Sequence, residues 1–220
     1  MAPAALSVAL GLSLPVLAAA QAHRGVLYIQ RQPECADDVP TTSRPQTLHQ
    51  IAWRGEGSLP AHLTKLSSSW LKHNPQWSRR VWDEQSINQL LEQSYPWLAD
   101  TFKALPTNLQ REEVAVYLVL HAHGGVFADV DMESFQEFAT LPEGAVLQLF
   151  EEPVEKWEVT DARGNSLSHH VISTSLMSVA EPGHPLLRRI LEAVRPDGEA
   201  YAPTNGQLIQ KELRRCQSRN

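Results

Sequence analysis

Gly124-Gly125-Val126-Phe127-Ala128-Asp129-Val130-Asp131-Met132-Glu133 puts a helix stop, an apolar strand and a pair of carboxylates in one short run. Just upstream, Val114, Tyr117, Leu118 and His121 recur at helical spacing, which predicts a helix over 111–123. The glycine pair ends it, because glycine enters the unusual backbone conformations of a helix terminus at least cost. Val126 to Asp131 then reads as a strand with carboxylates at its carboxyl end. Side chains two apart on an extended chain point to one face, so Asp129 and Asp131 can converge on one divalent cation. Carboxylate oxygens suit hard ions such as Mg2+ and Mn2+ and leave coordination positions open for phosphate oxygens. Taken alone, an Asp-x-Asp pair reads as a solvated acidic turn; the helix, glycine break and strand before it favour the ligand reading.

Working outward, the apolar run Leu48-His49-Gln50-Ile51-Ala52-Trp53 predicts a first strand, followed by a glycine-containing loop over 54–60. Leu63, Leu66, Trp70 and Leu71 predict a helix that Asn74-Pro75 ends. Residues 77–82 predict a second strand. Ile87, Leu90 and Leu91 mark a helix from about Ser86, broken by Pro96, and a further helical stretch runs over 97–105. Beyond the acids, 145–150 reads as a strand, 171–177 as a β-branched and serine-rich stretch, and 185–194 as a helix opened by Pro182-Gly183-His184-Pro185. Strands alternating with helices predict an α/β domain with a mostly parallel sheet flanked by helices.

A length of 220 residues suits one domain with a short appendage. With 42% apolar and 20% charged residues, the chain is neither a disordered nor a coiled-coil sequence. A net charge of -6 lacks the basic face a general nucleic-acid binder needs. Two cysteines, Cys35 and Cys216, exclude a disulfide scaffold and leave a single bridge open. Residues 1–22 carry no charge and end in Ala20-Gln21-Ala22, which predicts a secretory signal peptide or a signal anchor, and with it membrane association through the N-terminus. Proline and turn residues over 23–45 predict a linker, leaving 46–220 as the domain.

Gly124 to Glu133 resembles the Gly-Gly-x-Tyr-x-Asp-x-Asp block of sugar transferases, and more narrowly the chain resembles glycosyltransferase family 32. Three further blocks agree in order. His49-Gln50-Ile51-Ala52-Trp53 resembles the family's His-Gln-x-Trp strand with one extra residue. Ser69-Trp70, Asn74-Pro75, Trp77 and Trp82-Asp83-Glu84 resemble its Ser-Trp, Asn-Pro and Trp-Asp-Glu stretch. Ser178 to Pro185 resembles the block ahead of its late helix. The likeness covers about residues 46–192. It implies a GT-A-like nucleotide-diphospho-sugar transferase fold, a GDP- or UDP-hexose donor with mannose as the first sugar, Mn2+ or Mg2+, and retention of anomeric configuration. It further implies a glycan or glycolipid acceptor and a place in the secretory pathway, in the Golgi or on a membrane. Asp129 and Asp131 are then the catalytic and metal residues, with Asp131 the closer ligand. Gln50, Trp53, Glu113, Tyr117, Gly124 and Gly125 are the expected donor-binding residues.

The chain departs from the family in its long helix. The family's Asp and Arg, three residues apart, correspond to Glu113 and Val116, and Val116 carries no charge. The segment after the late helix is also short for the family. These departures keep a second expectation open, a non-catalytic relative that has lost donor binding. A phosphotransferase of the haloacid-dehalogenase type also uses Asp-x-Asp, but on its first strand and with Thr where Glu133 stands here. Tryptophans 70, 77, 82 and 97 are expected in the core. His121 and His123 are expected to complement the helix dipole as imidazolium, His184 to shape a helix entry, and His169-His170 and the acids at 151, 152 and 155 to lie in solvated loops.

Overall fold

The computed structural model describes residues 22–23, 26–30, 45–138, 145–151, 159–160, 166–167, 172–196, 208–209 and 211–213. In chain order the elements are β1 (Ala22–His23), β2 (Val26–Gln30), β3 (Thr47–Ile51), a 3-10 turn (Glu56–Ser58), α1 (Ala61–His73), β4 (Ser78–Trp82), α2 (Glu84–Ser94), α3 (Pro96–Lys103), α4 (Asn108–His123), β5 (Gly125–Ala128), β6 (Ala145–Glu151), β7 (Val159–Thr160), β8 (Ser166–Leu167), β9 (Ile172–Val179) and α5 (Pro185–Ala193). Seven strands form one sheet in the order β1-β2-β6-β9-β5-β3-β4, and β7 pairs with β8 apart from it.

The sheet is mixed rather than mostly parallel. Only β3 runs parallel to its neighbours, β4 on one side and β5 on the other. β9 lies antiparallel between β5 and β6, and β2 and β1 extend the antiparallel half. Alternating strands and helices imply parallel crossovers only where a helix joins neighbouring strands, and no helix separates β6 from β9 among the described residues. The linker expected over 23–45 gives way at Val26–Gln30, whose β-branched and aromatic run pairs with β6 from Val26↔Phe150 to Gln30↔Ala145. The segment at 1–21, Cys35, Cys216, His169-His170, Glu152 and Glu155 lie outside the described residues.

The two faces of β3 bury different chemistry. Leu48 packs with Trp70, Trp77, Val126 and Ala128 beneath α1. Ile51, Trp82 and Phe127 join the larger cluster under α2 to α5, with Leu91, Phe102, Tyr117 and Leu187. Each fully buried side chain of this size contributes roughly 1.5–3 kcal/mol. α1 stops at Asn74, whose Nδ2 donates to the Trp70 carbonyl at 2.8 Å, before Pro75. α2 and α4 each begin in a capping box, Asp83 with Ser86 and Thr107 with Gln110. His184 caps α5, its Nδ1 accepting from Leu186 N at 3.2 Å, which is the helix-entry role expected for it.

Gly124 and Gly125 have a steric reason. Their φ angles are 62° and 86°. A Cβ on Gly125 would lie 2.6 Å from the Thr47 carbonyl oxygen, and one on Gly124 would lie 3.2 Å from Glu181 C. The pair therefore lets α4 turn directly into β5 against β3 and the segment before α5.

Beside it, His49 is buried and accepts from Trp82 Nε1 at 3.1 Å. His123 stacks on His49 with centroids 5.8 Å apart, and the Arg80 guanidinium lies 3.5 Å from the Trp82 ring centre. Burial first, then His123 and Arg80, lower the His49 pKa to about 3, against a smaller raising effect from the Gly124 backbone. His121 and His123 are lowered too, by burial and then by Arg188 and Arg80 respectively. The expected imidazolium at the end of α4 is thus disfavoured, because both rings are partly enclosed beside an arginine.

Candidate functional site

The sheet order makes β3 a switch point. The chain leaves β3 through α1 toward β4, whereas β5, on β3's other side, leads on toward the antiparallel half. Ligands in open α/β sheets bind in the crevice outside the carboxyl ends of such strands. Leu48 pairs with Val126 and His49 with Phe127, so Asp129 follows β5 at the end toward which β3 runs to Ile51. Trp53 lies in the turn after β3, and the strand expected over 126–131 stops at Ala128: Val130 and Asp131 form a turn in which Met132 N donates to the Asp129 carbonyl at 3.1 Å.

The acids gather there because α4 and β5 fold back on one another at the glycine pair. Glu113 lies eleven residues before Gly124, about 16 Å along a helix. Asp129 lies four residues after Gly125, about 13 Å along a strand. The two lengths nearly match, and alternation puts Asp129 on the Phe127 face, the one that α4 covers. Asp129 N donates to the Ser175 carbonyl at 2.9 Å, which fixes the backbone at the acid. The Asp129 carboxyl is partly buried, and its pKa is pushed up to about 7, first by burial. A hydrogen bond with the Ser175 side chain opposes this; Asp131, Glu112 and Glu113 reinforce it. Glu112 is raised as well, by burial and then by Glu113. Tyr117, fully buried one turn further along α4, is raised by burial and then by Glu113. Asp131 is exposed.

This excess of negative charge fits a divalent cation. Among the described residues no group of three or more His, Cys, Asp or Glu side chains is arranged to hold a metal by itself. Two carboxylates with open positions are nonetheless what Mg2+ or Mn2+ uses when phosphates and water complete its shell. Held by Asp129 and Asp131, such an ion would supply charge neutralisation to bound phosphate oxygens.

Trp53, in the turn after β3, lines a cleft of about 590 Å³ with Arg54, Asp83, Glu84, Gln85, Asn88, Gln89 and Glu92. Its indole is buried, stacks obliquely on Phe102 at 6.4 Å, and leaves Nε1–H without an acceptor. Gln50 points the other way, toward α1. Its Oε1 accepts from Ser67 Oγ and Arg79 Nε, both at 2.6 Å, and the residue is wholly buried. Arg79 continues the network to Glu56 in the 3-10 turn.

The expected site residues therefore divide. Asp129, Asp131 and Glu113 meet at the carboxyl edge, with Tyr117 buried behind Glu113 and Trp53 in the turn after β3. Gly124 and Gly125 sit at the opposite end of β5, and Gln50 is enclosed under α1. Val116 is part of the apolar core, and Arg111 is spent on the Asn108 side chain and the Leu105 carbonyl of the α3–α4 turn. Trp97 departs from its expected core position: it is 41% exposed, and the Arg188 guanidinium covers its ring at 4.1 Å. Ser175 and Glu112 were not expected at the site. Glu112 adjoins Glu113 in sequence, a visible signal, whereas Ser175 reaches Asp129 only through the antiparallel pairing of β9.

Residues 60–147 match the family described as the glycosyltransferase sugar-binding region containing the DXD motif. Inositol phosphoceramide mannosyltransferase 1 of Schizosaccharomyces pombe is 28% identical over 40% of this chain and 28% of its own length. The putative glycosyltransferase HOC1 of Saccharomyces cerevisiae is 28% identical over 61% of this chain and 36% of its own. The chain thus spans well under two thirds of the curated relatives it matches. The PaToxG glycosyltransferase structure superposes with a TM-score of 0.54 at 16% identity, covering 80% of this chain and 70% of that one, which shows the shared fold. The comparisons thus show likeness to the DXD glycosyltransferases over residues 60–147 and an α/β fold shared with a glycosyltransferase structure.

Proposed function

We propose that this chain, related over residues 60–147 to the DXD glycosyltransferases, is a metal-dependent retaining glycosyltransferase. It moves a hexose, mannose first, from a GDP- or UDP-sugar to a glycan or glycolipid acceptor. The observation that carries this reading is the meeting of Asp129, Asp131, Glu112 and Glu113 at one sheet edge, where burial and mutual repulsion disfavour the ionised Asp129.

In this reading Asp129 and Asp131 hold Mn2+ or Mg2+ against the donor diphosphate. Asp131, exposed, is the closer ligand; Asp129, tied to Ser175, is the more ribose- or water-mediated partner. Trp53 borders the base and ribose through the ring edge that lines the cleft. Glu113 stands where the family has an Asp that reaches the donor. Placement in the secretory pathway follows the predicted N-terminal signal; among the described residues no helix is long and apolar enough to cross a membrane.

The test is Mn2+-dependent hydrolysis of GDP- and UDP-hexoses by the full chain. The parent protein hydrolyses one of them, and Asp129→Ala or Asp131→Ala abolishes it; unchanged hydrolysis in both variants refutes the site. Val116, buried where the family has arginine, favours a second reading, a relative that has lost donor binding. Absence of both nucleotide binding and hydrolysis in the parent protein decides for it.

A further inference from the structure

Three large apolar side chains are well exposed among the described residues: Trp97 at 41%, Leu109 at 52% and Phe135 at 78%. Trp97 is covered by Arg188, and Leu109 lies in the first turn of α4. Phe135 stands out because the loop that carries it is fastened on both sides. Trp70 Nε1 donates to the Met132 carbonyl at 3.0 Å, Ser134 N donates to Ser69 Oγ at 2.8 Å, and Phe138 N donates to Asn74 Oδ1 at 2.9 Å. Phe138 itself turns inward against Trp70 and Trp77. A loop so tied holds one aromatic ring in water at a fixed place, four residues from Asp131 and within about 14 Å of it.

We propose that Phe135 is the platform on which a neutral sugar ring of the glycan acceptor stacks, an inference that rests on the glycosyltransferase reading above. An aromatic face buries the apolar C–H face of a sugar at little entropic cost once its backbone is fixed. Glu133, Gln136 and Glu137, all exposed beside it, supply carboxylates and an amide for the sugar hydroxyls. The same acids, on a chain of net charge -6, oppose docking of this loop on an anionic bilayer.

The experiment titrates the full chain with α-mannotriose by calorimetry in the presence of Mn2+ and GDP or UDP. Nucleotide binding is measured separately. Phe135→Ala should weaken mannotriose roughly tenfold and leave nucleotide affinity unchanged, and Phe135→Trp should restore the trisaccharide. The proposal is overturned if Phe135→Ala binds mannotriose like the parent, or if the parent binds nucleotide but no mannotriose. It is also overturned if the variant's loss appears instead in co-sedimentation with phosphatidylinositol vesicles. Failure of the parent to bind either nucleotide refutes the enzymatic reading itself.

Discussion

Replacing Gly125 by alanine sets a methyl group 2.6 Å from the Thr47 carbonyl oxygen and 3.3 Å from His49 Nε2, on a backbone with φ of 86°. The positive φ costs an L-residue about 1–2 kcal/mol. The first contact is with backbone of the paired strand, which cannot swing aside as a side chain would. β3 and β5 must separate, an overpacking strain of about 1–3 kcal/mol. The sum, about 2–5 kcal/mol, is a large part of a stability of roughly 5–15 kcal/mol. For a chain of this size it lowers Tm by on the order of 5–20 °C. Two other glycines separate the contributions. Gly183 has φ of 78° and nothing within 4 Å, so alanine there carries the conformational cost alone. Gly57 has neither strain nor neighbour and should change stability by less than about 0.5 kcal/mol. Thermal and urea denaturation of the three variants should rank them Gly125, Gly183, Gly57. If Gly125→Ala melts with Gly183→Ala, the close approach of the strands is not what demands glycine. If its Tm holds while nucleotide affinity falls, the glycine serves the donor instead.

His49 makes acid a denaturant. Its folded pKa of about 3 lies below the ordinary 6.5, so the unfolded chain takes up a proton that the folded one refuses. Stability from this group is complete above about pH 6.5 and is lost as pH falls toward 3. His123, Arg80 and the Gly124 backbone face the ring, and His49→Gln should flatten the urea midpoint against pH over that window. Asn74→Ala removes both the cap on Trp70 and the tether to Phe138. It should cost about 1–3 kcal/mol and speed amide exchange over 133–138 relative to the rest of the chain.

Local order was legible because local chemistry sets it. Leu63, Leu66 and Trp70 mark the buried side of α1, Pro96 separates α2 from α3, and Gly124-Gly125 divides α4 from β5. Sheet direction was not legible, since Ile172–Val179 has the same β-branched and serine-rich pattern whichever way it pairs. The strand at Val26–Gln30, between β1 and β6, was masked by the prolines that follow it. At the site, Asp129 and Asp131 after β5 announced themselves by type and spacing, Glu113 came only through the family resemblance, and Glu112 was missed. Ser175 was not legible, because a serine in a serine-rich strand carries no mark of the carboxylate it will face. Gln50 reads as a ligand contact because it is a polar residue in a family block, and the sequence carries no mark of the Ser67 and Arg79 groups that its oxygen accepts from.

In the bonds from Ser69, Trp70 and Asn74 to the loop over 132–138, the loop contributes only backbone atoms and the other partner is always a side chain. A loop of different sequence but equal length and no proline at 134 or 138 would therefore keep all three anchors. Its side chains are free to be regrafted, whereas Ser69, Trp70 and Asn74 must stay in place for any such graft to hold its shape.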